Sequence, residues 1–116
     1  YVIIHFIEVI HMLDATELSL EDSIENCELE LFETKRRMAK VNKIIDILQS
    51  IVQGSKNSPF TILRQLEFAI LTANEYKETT YGEALKIYFI RLNTLEAKSL
   101  ELQERYEKLT MESYTK

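Results

Sequence analysis

No Gly and no Pro falls between Leu20 and Gln53, and that unbroken run constrains the fold more than anything else in the chain. Within it Ile24, Leu31, Met38, Ile45 and Val52 recur every seven residues, with Leu20, Cys27, Val41 and Leu48 forming a second line beside them. Thr34 is the one polar member of this seam. Apolar residues repeating every seven, flanked by charges such as Glu28, Glu30, Lys35 and Arg37, predict a long helix packed in coiled-coil fashion. At 1.5 Å per residue, a helix over residues 20–53 is a rod of about 50 Å. Ile44, Ile47 and Ile51 widen the stripe near its end, which predicts burial on more than one side there. Ser19 with Asp22 three residues on reads as the capping box that opens the rod. Gly54 reads as the left-handed cap that closes it.

The remaining segments obey the same economy. With two Gly and one Pro in all, the chain has too few turn residues for a β-rich fold. Ser58-Pro59 predicts a helix start, a hydroxyl followed by the residue whose missing N–H costs nothing at the first helical position. The helix that follows, over residues 59–77, is apolar nearly all round. Phe60, Leu63, Leu66, Ile70 and Ala73 make one stripe, and Ile62, Phe68, Ala69 and Leu71 fill much of the rest. Arg64 and Glu67 exclude a membrane span, so this stretch is expected to be the buried core helix. Thr80 with Glu83 predicts the cap of a last helix over 81–114, with Leu85, Leu92 and Tyr106 on one seam line and Tyr88, Leu95, Leu102 and Leu109 on the other. At the opposite end, residues 1–13 are apolar except for His5, Glu8 and His11, a three-residue spacing that predicts a short helix. The expected fold is therefore all-α: an elongated antiparallel helical bundle with two long heptad-patterned helices, one domain over residues 1–116.

Charge and chemistry exclude several functions. The net charge of -5 argues against nonspecific binding to nucleic acid or anionic lipid. Along the first rod the charge is segregated: seven acidic residues from Glu17 to Glu33 give way to Lys35, Arg36, Arg37, Lys40 and Lys43. No aromatic residue interleaves that basic block, which argues against its binding nucleic acid by base stacking. Cys27, the one cysteine, cannot form an internal disulfide, which favours a reducing, cytoplasmic setting. It falls on a seam position and reads as a buried structural thiol. His5, Glu8 and His11 lack a full ligand set for a metal, and read as a polar stripe. No phosphate-cradling glycine loop, zinc-protease motif or nucleophile elbow is present. These residues predict no enzyme, no cofactor, no metal and no small-molecule substrate. The chain begins at Tyr1 rather than Met, and is expected to be part of a longer protein.

One stretch carries a family resemblance. Ile47-Leu48, Val52, Ser55-Lys56, Pro59, Ile62-Leu63 and Leu66 together resemble the dimerisation segment that follows the armadillo repeats in diaphanous-type formins. The order of elements is similar too: an apolar helix, a long charged rod, a loop with Ser-Lys and Pro, a core helix and a heptad rod. The likeness covers about 25 residues, and the segment between the core helix and the last rod departs from it. It implies dimerisation within a larger cytoskeletal or scaffold protein. No actin-nucleating region is present, so it implies nothing about actin.

The lengths of the segments predict association. Two helices apolar nearly all round are more than a domain of this size hides readily, and both rods outrun the helix between them. The last turns of the chain are expected to lack a partner in the same molecule. The candidate interface is therefore Leu92, Leu95, Leu102, Tyr106 and Leu109 on the last rod, Ile24 and Leu31 on the first, and Ile3, Ile7 and Ile10 on the leading segment. On this reading Leu102→Asp and Leu109→Asp weaken association with little loss of helicity. The expected function is a non-enzymatic interaction module forming a homodimer or docking on a helical protein partner. The alternative is a regulatory bundle that presents a groove to a partner helix or a small GTPase.

Overall fold

In the computed structural model, residues 16–115 are described, with side chains from residue 20 onward. The expected helix over 1–13, with Ile3, Ile7 and Ile10, lies outside the described residues. Those that are described form three helices: α1 (Thr16–Gln53), α2 (Pro59–Leu71) and α3 (Tyr81–Thr115). No strand occurs among them, so the all-α class stands. The helix is already running at Thr16, ahead of the start expected at Ser19. Nothing from Thr16 to Leu18 breaks a helix, so the capping pattern sits inside α1 rather than at its opening.

The chain divides into two compact units, residues 16–33 with 99–115, and residues 34–98. In the first, the expectation that the tail lacks a partner in its own chain fails. Leu102 is 2% exposed, and the Cys27 thiol donates to its carbonyl oxygen at 3.3 Å. The Tyr106 hydroxyl donates to Glu28 Oε1 at 2.9 Å. Leu109 lines the same recess as Ser23. Rising numbers on α3 thus meet falling numbers on α1, an antiparallel pairing. The physical reason for the error is simple: each long helix is covered by the other, and the length of the helix between them is irrelevant.

In the second unit the core is Val41, Ile44, Ile45, Ile47, Leu48 and Ile51 of α1, with Phe68 of α2 and Ala84 and Tyr88 of α3. The widened stripe on α1 predicted this, since α2 and α3 both cover it. Val52, expected on the seam, is exposed, and Ile51 takes the buried place. Cys27, Thr34, Val41 and Leu48, seven residues apart, are all buried.

The loops depart from expectation in two places. No glycine has positive φ, so Gly54 is not a left-handed cap. Its role is close approach: a Cβ there would collide with Thr61 Oγ1 and lie 2.8 Å from the Ser50 carbonyl oxygen. α2 also stops at Leu71, six residues short of Lys77 (77 − 71). Ala73 and Asn74 adopt φ of 51° and 58°. The Ala73 N–H donates to Ile70 O at 3.2 Å and the Asn74 N–H to Ala69 O at 2.9 Å, the bond pair of a Schellman ending with alanine where glycine is usual. The Ser58 hydroxyl makes no cap bond at the start of α2. The Thr80 cap is present: its hydroxyl accepts from the Glu83 N–H at 3.2 Å.

Candidate interaction site

The arrangement of α2 decides where the molecule can bind anything. Thr61 and Phe68, seven residues apart, are the positions it buries, and Thr72, just past its end, is buried as well. Thr72 satisfies its hydroxyl locally, donating to Phe68 O at 2.7 Å. Phe68 supplies most of the apolar contact, with its ring 5.9 Å from those of Tyr76 and Tyr81 and 6.5 Å from that of Tyr88. Tyr76 and Tyr88 complete the cluster at 5.6 Å. Such tilted and edge-on pairs each add about 0.5–1.5 kcal/mol beyond area burial.

The rest of α2 faces away from the core. Phe60, Leu63 and Leu66 are 56–57% exposed, Ile62 54% and Ile70 68%. The stripe expected to be the centre of the domain is therefore its outer surface, and the core-helix reading is corrected. An all-round apolar helix shows no preferred face in its sequence. Here Thr61 and Phe68 are the positions that turn inward. Arg64 Nη1 pairs with Glu67 Oε2 at 2.9 Å, and the same guanidinium lies 4.9 Å from the centre of the Phe60 ring.

The candidate residues from the sequence scatter. Leu92 and Leu95 are partly buried against the core of their own unit, and Leu102 is buried. Tyr106, Leu109, Ile24 and Leu31 are half-buried. None lies on α2. What the sequence reading missed is the outward face of α2, together with Arg91, whose guanidinium sits 4.9 Å from the Tyr88 ring centre and 5.8 Å from that of Tyr76. The available signal was an apolar arc on α2 too wide for two neighbouring helices to cover.

Three titratable groups, Cys27, Tyr88 and Tyr106, are shifted by the contacts they make. Burial, then the hydrogen bond with Tyr76, pushes Tyr88 up to about 12. Burial raises the Cys27 thiol above its ordinary value, so it is a poor nucleophile. The bond to Glu28 raises Tyr106. Among the described residues no cluster of His, Cys, Asp and Glu could hold a metal ion. No helix among them is long and apolar enough to cross a membrane.

No family model matches the chain, and neither a curated protein nor a solved structure matches it.

Proposed function

We propose that this chain is a non-enzymatic helical interaction module that forms a homodimer through α2, within a larger scaffold or cytoskeletal protein. The observation that carries the reading is the outward apolar face of Phe60, Ile62, Leu63, Leu66 and Ile70. Soluble monomers rarely expose more than a few hundred Å² of contiguous apolar surface. With about 200 Å² on a large side chain and 54–68% of each exposed, this face offers roughly 550–600 Å² per chain. Two copies then bury at most roughly 1,100–1,200 Å² in total, just above the ~1,000 Å² that a specific interface needs.

The face is also suited to its own copy. A two-fold interface must be self-complementary, and Ile62-Leu66-Ile70 reads the same in both directions at four-residue spacing. Antiparallel pairing puts Leu66 at the axis and Ile62 against Ile70 of the second copy. The helix carries one cation and one anion, Arg64 and Glu67, already paired, so the copies meet without a charge conflict. The resemblance of residues 47–66 to a formin dimerisation segment points the same way.

A two-fold axis at residue 66 has a direct test. Leu66→Cys is expected to oxidise to a covalent dimer, because the two sulfurs meet at the axis, while the buried Cys27 stays reduced. A Leu66→Cys chain that remains monomeric under oxidant, or one that cross-links no more readily than Phe32→Cys on the other unit, refutes the assignment.

A further inference from the structure

Self-association through α2 leaves a second feature of the same unit unused. By sequence, residues 34–98 hold eleven Lys and Arg against six Asp and Glu, a net of +5 (11 − 6), while the remainder holds three against thirteen, a net of -10 (3 − 13). On α1 the positive charge is concentrated. Lys35, Arg36, Arg37, Lys40 and Lys43 are all exposed, and Asp46 is the one carboxylate between Thr34 and Gln53.

A cleft of about 530 Å³ opens beside this block, within the ~300–1,000 Å³ range of ligand-sized sites. Its buried lining residues are Val41, Ile44 and Tyr88, which make an apolar floor, and Thr72, whose hydroxyl is already bonded to Phe68 O. Arg37, Lys40 and Arg91 stand exposed around it, against a single carboxylate, Glu75. Arg91 is already positioned by its stacking on Tyr88 and Tyr76. A guanidinium fixed in this way loses little freedom on binding, and its fork matches a carboxylate in two bonds.

We propose that this cleft takes an acidic amphipathic helix from a partner protein. Apolar side chains at i, i+3 or i+4 and i+7 would fill the floor, and flanking carboxylates would meet Arg91 and Lys40. The charge pattern selects against the other occupants. The acidic stretch of α1 in a second copy exposes two large apolar side chains, Leu29 and Phe32, three residues apart, with Glu25 and Arg36 where a third anchor would fall, so it offers too short an apolar stripe for the floor. A single-stranded nucleic acid would stack its bases on exposed aromatics along the basic block, and residues 35–43 carry none.

The test uses the whole chain and two labelled helical peptides of about 18 residues. They share leucines at the anchor positions and differ only in glutamate or lysine flanks. Fluorescence anisotropy is expected to give at least about tenfold tighter binding of the glutamate peptide, weakening severalfold in about 0.5 M salt. Arg91→Glu and Lys40→Glu should each reverse the preference, with helicity by circular dichroism unchanged. Leu66→Glu, which abolishes the proposed dimer, should leave peptide affinity as it was; this separates failure of the cleft from failure of the dimer. Equal affinity for both peptides, no binding of either, or indifference to both charge reversals overturns the proposal. Displacement of the glutamate peptide by a single-stranded oligonucleotide also overturns it.

Discussion

The Cys27 thiol donates a hydrogen bond to the Leu102 carbonyl oxygen at 3.3 Å, joining residues 75 apart in sequence. Both side chains are buried, so this contact closes the unit made by the start of α1 and the end of α3. It turns a surface that the sequence offered to a second molecule into an internal one.

Leu102→Asp should therefore unfold that unit rather than separate two copies. An unpaired carboxylate at a position 2% exposed costs about 3 kcal/mol or more. Circular dichroism should show lost helicity and a lower Tm, at every chain concentration. For the same reason Cys27 should resist thiol reagents in the folded chain and react fully in denaturant, as timed labelling would show.

Ala73 holds a left-handed conformation, φ 51°, at the end of α2. A side chain there costs about 1–2 kcal/mol. Ala73→Gly removes that strain, at an unfolded-state entropy cost of about 0.4–1 kcal/mol. Strain relief wins, and Tm should rise by a few degrees. Gly54→Ala should do the reverse. Its Cβ meets Thr61 Oγ1 and the Ser50 carbonyl, and the overpacking should cost about 1–3 kcal/mol in a denaturant titration.

Tyr88 gives the unit of residues 34–98 a pH limit. Its folded-state value is raised from 10.0 to about 12. The folded state thus favours the neutral phenol, and the associated stability is complete below pH 10 and is lost as pH rises from 10 toward 12. Tm measured across that window should fall for the native chain. Tyr88→Phe, which cannot ionise, should show a shallower fall.

Much of this was readable from residue types, and the exceptions share a cause. The seven-residue lines through Val41 and Leu48, and through Tyr88 and Leu102, identified the seams because polar residues flank them and fix a face. α2 offered no such contrast. With Phe60, Ile62, Leu66, Phe68 and Ile70 spread around it, the sequence could not say that Thr61 and Phe68 are the positions that turn inward. Its end was hidden as well, because alanine rather than glycine occupies the left-handed position. The pairing of the long helices with each other is a fact of topology, and segment lengths alone suggested the wrong partner.

The central claim is that the outward face of α2 joins two copies, and molar mass by light scattering tests it most directly. At tens of micromolar the native chain should weigh twice the 13.7 kDa of one copy. Leu66→Glu should return it to one copy with helicity intact, and Phe32→Glu, on an exposed position of the other unit, should leave the dimer unchanged. A native chain of single-copy mass at every concentration, or a Leu66→Glu chain as heavy as the native one, would contradict the account.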